Sequence, residues 1–381
     1  MIIGLKDGLK LFGITIVACC AAFVCTLFLS YNIDLSAIKN EITTEAGLAM
    51  YDAQVMTGRV VAGVSGGCLV ATSVVMLLFY VKDYVDTHGK ELGILKALGY
   101  SDIKIAKSFS AFGLSVLVGC VVGFAAGLLY LPAFYQKQNP AEQNLIPALK
   151  VKFHPLLAFS LTCAPALVFA GVAVLFAYAG LKTPVLNLLR EKREYNYKPH
   201  NKKDKDLPFL KELSAVTLKS KKTLVFFVAF SAFCFSSMVQ MSYSMNTLAS
   251  ETFAAMVLAI GLILAFVTLL LSLSAVVKQN AKTIALMRAF GYEDSAARRR
   301  IFGAYLPVAC IGFALGSAYQ YGLLRLMVTV VFAGVENVPA YSFDYKALSV
   351  TAALFAVAYE LAIYLFSLRI KKMSVKNVMT E

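Results

Sequence analysis

The sequence predicts an all-α polytopic membrane protein: eight transmembrane helices arranged as two parallel four-helix repeats, with N and C termini cytoplasmic. Three observations predict it. The 381 residues are 59% hydrophobic and only 15% charged, whereas a soluble domain carries roughly 25% charged residues. The apolar residues gather in long blocks, with basic residues between alternate blocks. The second half of the chain also repeats features of the first. Disorder is excluded, because that much Ile, Leu, Val and Phe must be buried. A soluble nucleic-acid binder would account for the net charge of +14 but not for the apolar content.

A span needs about 20 largely apolar residues. In chain order such blocks occupy 11–31, 60–81, 108–131, 156–180, 223–243, 254–277, 302–331 and 347–368. The first begins after Lys6, Asp7 and Lys10, exceeds a signal-peptide core in length, and meets no small-residue cleavage site before Asp34. It is expected to be a retained helix. Segments 1–10, 82–107, 181–222, 278–300 and 369–381 hold 29 of the 36 Lys and Arg residues. The positive-inside rule assigns these segments to the cytoplasm, and an even number of spans leaves both termini there. All eight Cys fall within spans, which argues against a disulfide framework. His88, His154 and His200 are scattered and form no metal cluster with the thiols.

Internal repetition organises the rest. Residues 90–102 read KELGILKALGYSD and residues 282–294 read KTIALMRAFGYED, an offset of 192. KTPVLNLLRE at 182–191 is echoed by KMSVKNVMTE at 372–381, an offset of 190. The unit is four spans. Because four is even, both copies enter the membrane in the same direction. The expected domains are 1–182, a basic linker over 183–212, and 213–381. The copies differ mainly between their first two spans, where 32–59 is outward in the first and only 244–253 in the second.

The repeated motif is too polar to span and too regular for a loop. Leu92, Leu95 and Leu98 recur at helical spacing with Ile94 beside them, while Lys90, Glu91 and Lys96 lie off that row. Gly99 follows where a helix-terminating Gly belongs, and Asp102 is a candidate cap for the next helix. The twin carries Ile284, Leu286, Met287 and Phe290, then Gly291 and the cap candidate Asp294. A helix of this kind could lie along the inner headgroups. Its duplication at the same point of both halves points instead to a docking element.

The stretch KELGILKALGYSD resembles the cytoplasmic signature of FtsX-like permeases, the membrane subunits of bacterial ABC transporters of the MacB, LolC and BceB kind. The resemblance covers both four-helix units, including the tail at 182–190. The second copy departs from it, with Thr283 in place of Glu and Ala285 in place of Gly. It implies short amphipathic coupling helices, about 88–100 and 280–292, seated in grooves of two cytoplasmic ATPase subunits. Lys90, Glu91, Leu92, Gly93, Leu95, Lys96, Leu98 and Gly99 would be the coupling residues of the first copy, with Glu91, Gly93, Lys96 and Gly99 carrying the stronger contact. Lys282, Ile284, Met287, Arg288, Phe290 and Gly291 would form the weaker one. The large extracytoplasmic domain of well-known members is absent here, so no particular substrate carries over.

The chain holds no G-x-x-x-x-G-K-[ST] phosphate cradle; THGKE at 87–91 is the nearest string. No cofactor is expected in this chain, and ATP and Mg would belong to the partner ATPase. No catalytic constellation is found, so the expected role is a non-enzymatic, multi-pass subunit of the plasma membrane. It would couple ATP hydrolysis elsewhere to export or extraction of a hydrophobic, lipid-like or peptide substrate. Other expected partners are the bilayer and a second permease chain or small accessory protein, with no nucleic acid. One alternative is a mechanotransmission or signalling subunit. Another is a secondary transporter built on Glu360, which lies nine residues before Arg369, on the order of 13 Å into the membrane. An ionisable group at such depth marks a functional candidate. Finally, Gly119, Gly123 and Gly127, with Gly312 and Gly316, form small-xxx-small rows suited to close helix packing.

Overall fold

The computed structural model describes residues 8–42, 44–138, 149–185, 218–219, 221–248, 251–326, 328–329 and 342–371. Among them every regular element is helical. The chain divides into two compact units, Met1–Arg193 and Glu194–Glu381. Most of the basic linker falls outside the described residues.

In the first unit, α1 (Gly8–Ala37), α2 (Glu45–Thr87), α5 (Ala111–Gln138) and α6 (Pro155–Leu181) are the long helices. Two short ones, α3 (Gly89–Ala97) and α4 (Asp102–Ala106), join α2 to α5. Helix α1 packs along α5 and α2, while α6 packs on α5 and α2 and also touches α1. The second unit repeats the plan. Its long helices are α7 (Lys222–Leu248), α8 (Glu251–Gln279), α10 (Asp294–Leu326) and α11 (Tyr345–Lys371), with the short α9 (Ala281–Ala289) after α8. Helix α7 packs against α10, α8 and α11.

Seven helices among the described residues are long and apolar enough to cross a membrane. They correspond in order to seven of the eight apolar blocks. The block 60–81 forms part of α2, a continuous helix of 43 residues and so about 65 Å long. This length changes the reading of 32–59. It is mostly helix: α1 runs on to Ala37, a 3-10 turn covers Lys39–Glu41, and α2 starts at Glu45.

The glycine rows sit where two helix backbones come closest. A Cβ at Gly119 or Gly123 would collide with the carbonyl oxygens of Thr15 or Cys19 on α1. At Gly312 or Gly316 it would collide with those of Ala229 or Phe233 on α7. The third rung differs between units. Gly127 lies against the Thr26 side chain. In the second unit polar side chains carry the seam: Gln240 Nε2 donates to Ser236 Oγ at 2.9 Å and Ser317 Oγ at 2.7 Å. Gln320 Nε2 donates to Ser244 Oγ at 3.3 Å. Buried polar groups between membrane helices are tolerated because they pair with one another.

At the far end of the first unit, the Asp34 carboxylate is buried on α1. It accepts from the Tyr135 hydroxyl at 2.7 Å and from the Lys152 backbone N–H at 3.3 Å. His154 Nε2 lies 2.9 Å from its other oxygen. Residue His154 precedes α6 directly, so this cluster ties the start of α6 to α1 and α5.

Candidate functional site

The repeated motif forms α3 and α9, and each is set off from the long helix before it by one junction residue. His88 follows α2, its ring stacked on Tyr84 with centroids 4.2 Å apart and Nδ1 3.2 Å from the Tyr84 carbonyl oxygen. Asn280 follows α8 and donates from Nδ2 to the Val276 carbonyl at 2.8 Å. Both side chains therefore add a second contact to a last-turn carbonyl that already accepts the junction residue's own N–H, His88 to Tyr84 at 2.9 Å and Asn280 to Val276 at 3.1 Å. The next helix begins at once: the Leu92 N–H donates to the His88 carbonyl at 3.0 Å and the Ile284 N–H to that of Asn280 at 2.9 Å.

Each short helix ends at a left-handed glycine, Gly99 at φ 90° and Gly291 at φ 80°. The Tyr100 N–H reaches back to the Leu95 carbonyl at 3.1 Å, and the Gly99 N–H to that of Lys96 at 3.0 Å. The Tyr292 N–H does the same to Met287 at 3.0 Å. This is the six-to-one closure of a Schellman motif, which needs a residue free to adopt positive φ. The following cap differs from the sequence expectation. Ser101, with extended backbone, is the N-cap of α4, its Oγ accepting from the Lys104 N–H at a long 3.4 Å. Asp102 is already helical, and its carboxylate lies 2.9 Å from Lys96 Nζ. The side chain of Asp294 lies outside the described residues.

Burial divides the motif into two faces, alike in both copies. Leu92 and Ile284 are 0% and 3% exposed, and Gly93 and Ala285 are buried beside them. Ile94, Leu98 and Tyr100 point outward, as do Leu286, Phe290 and Tyr292, with Leu98 at 70% and Phe290 at 68% exposure. The two exposed triads are related by the 192-residue offset. Thus the row Leu92–Leu95–Leu98 is not one surface. Leu92 and Leu98 lie about 120° apart around a helix, and only Leu98 is free to meet another molecule. Leu95 is half-buried and Met287 is buried. Lys90 and Glu91 are exposed; the side chains of Lys282 and Arg288 lie outside the described residues.

Lys96 is not a surface cation. Its side chain is 11% exposed. From Nζ it donates to the Leu181 carbonyl at 2.6 Å and the Thr183 carbonyl at 3.1 Å, both at the end of α6. Nearby, Lys104 Nζ sits 4.9 Å from the Tyr100 ring centroid, a cation–π contact that steadies one member of the exposed triad.

Glu360 lies on the exposed face of α11 with Val357, Leu361 and Tyr364. No sequence pattern marks the Asp34 cluster, since its members come from 34, 135, 152 and 154. The junction role of His88 was likewise illegible beside two unrelated histidines, although its alignment with Asn280 at the repeat offset was available.

The family model for the FtsX-like permease C-terminal domain matches the chain twice, over residues 63–185 and 255–375. No curated protein and no solved structure matches it.

Proposed function

The chain belongs to the FtsX-like permease family, an ABC-transporter membrane subunit of non-catalytic kind, and we propose that α3 and α9 are its docking sites for two cytoplasmic ATPase subunits. The observation that carries this reading is the exposed triad found twice, Ile94, Leu98 and Tyr100 in one unit and Leu286, Phe290 and Tyr292 in the other. Exposed large apolar side chains grouped on a short helix and its closing turn favour burial by a partner. Glu91 adds a carboxylate to the first site, where the second has Thr283. That difference makes the first site the tighter of the two.

In this reading ATP and Mg are bound by the partner, and closure of the ATPase pair moves α3 and α9. The permease has eight spans in the plasma membrane with both termini cytoplasmic. Export or extraction of a hydrophobic, lipid-like or peptide substrate is the transport step that such motion would serve. The units fall into 1–182 and 213–381 about the basic linker. Contacts with a second permease chain or a small accessory protein belong to the same reading.

The test is isolation of the affinity-tagged full chain from its own cells, with the co-purifying ABC ATPase quantified. Leu98→Asp with Phe290→Asp should reduce the recovered ATPase at least tenfold, on the order of 1.4 kcal/mol or more. Both positions are exposed, so the thermal transition of the chain itself should stay in place. Undiminished ATPase recovery from the double variant would sink the assignment.

A further inference from the structure

Lys96 sits within the motif proposed to dock the ATPase, yet its ammonium group faces inward. Three acceptors from two other segments surround it: the Leu181 carbonyl at 2.6 Å, the Thr183 carbonyl at 3.1 Å and Asp102 Oδ1 at 2.9 Å. The first two belong to the last turn of α6 and the residues after it. Carbonyls there lack intrahelical donors and carry the negative end of the helix dipole, so a lysine is well matched to them. Charge-assisted bonds in a site this enclosed are among the stronger ones. The tie therefore holds α3, α4 and α6 as one body.

The opposite end of α6 is also anchored. His154, immediately before Pro155 at the start of α6, pairs with the buried Asp34 of α1, which also receives the Tyr135 hydroxyl of α5. Between the two anchors runs a helix of 27 residues, about 40 Å long. A displacement of α3 thus has a continuous mechanical route, through Lys96 and the body of α6, to a buried cluster at the far end. In the second unit the lysine that reaches a helix end is a different one. Lys221 donates to the Gln279 carbonyl and to Asn280 Oδ1, at the end of α8.

We infer that Lys96 is a positioning residue that transmits movement of α3 to α6, and is not itself a contact for the ATPase. The inference rests on the docking assignment above only for what sets α3 in motion; the clamp itself stands on the geometry within one unit.

Two measurements test it, both on the full chain in lipid nanodiscs. In the chain alone, Lys96→Met removes the donors while keeping much of the length. Hydrogen exchange should rise about tenfold both in 92–98 and in 178–183, the scale of losing a bond to a charged group. Lys96→Arg should restore protection, because the guanidinium can still donate to the same acceptors. Lys96→Gln, which keeps a neutral donor, should fall between and serves if the Met variant folds poorly. Exchange unchanged in 178–183 would overturn the clamp.

In the co-purified complex, trapping with Mg-ATP and orthovanadate should alter exchange at 151–157 in wild type. In Lys96→Met that response should drop at least fivefold while ATPase recovery stays within twofold of wild type. A full response in Lys96→Met overturns transmission, and a tenfold loss of ATPase recovery shows Lys96 to be a docking contact instead. A wild-type chain that recovers no ATPase would overturn the docking assignment, and transmission with it, leaving the clamp to the first measurement.

Discussion

Gly99 and Gly291 are required by backbone geometry rather than by space. Both have positive φ, and nothing lies within 4 Å of a Cβ added at either. Gly99→Ala should therefore cost about 1 kcal/mol, the ordinary strain of a side chain in left-handed backbone, and Gly99→Asn should cost less. Thermal unfolding of the purified chain measures both. Gly123 is the opposite case, because its Cβ would strike the Cys19 carbonyl of α1. Gly123→Ala should lower the transition more than Gly99→Ala, while Gly171→Ala, which meets nothing, should leave it unchanged. Asp34 tests the buried cluster. Asp34→Ala strips Tyr135 and His154 of their shared hydrogen-bond partner, a loss of about 1–3 kcal/mol in thermal unfolding. Sequence spacing was enough to mark Gly99 as a helix stop and Gly123 as a packing position. It was not enough to name the carbonyl that Gly123 faces, because that contact depends on how α1 crosses α5.

At the scale of elements, α3 and α9 are helices because a periodic apolar run is followed by a glycine able to close it. Their orientation is a different matter. The spacing of Leu92, Leu95 and Leu98 suggests one apolar face, but packing buries Leu92 and leaves Ile94 and Leu98 outside. Leu92→Ala should cost about 2–5 kcal/mol in thermal or denaturant unfolding, the usual price of a core truncation. Ile94→Ala should leave unfolding unchanged within about 0.5 kcal/mol and act only on ATPase recovery. Equal effects of the two substitutions on unfolding would contradict the two-faced description. Ser101 rather than Asp102 caps α4 for a related reason: both are competent caps, and the Gly99 closure sets where extended backbone falls. Asp102, one step into the helix, is then left facing Lys96.

For the whole molecule, the strongest inference from sequence was repetition. The offset of 192 between the motifs reappears as paired burial, paired left-handed glycines and paired junction residues at His88 and Asn280. The eight-span topology with cytoplasmic termini makes a direct prediction. With native cysteines replaced, Asp52→Cys should react with a membrane-impermeant maleimide on intact cells, and Lys90→Cys only after permeabilisation. Both positions are exposed, so the contrast reads sidedness; labelling of Lys90→Cys from outside would invert the topology.

Hydropathy and an internal echo carried the helical class and seven of the spans, and the family came from the resemblance of one short motif, because each is a property of neighbouring residues along one dimension. The bilayer sets a length, a helix sets a period, and duplication leaves matching strings. The outward triads, the inward-facing Lys96 and the Asp34–His154 pair came only from the folded chain. Lys96 and Leu181 are 85 residues apart, and Asp34 and His154 are 120. Which side chain meets which across such separations is decided by helix packing, to which hydrophobic periodicity alone is blind.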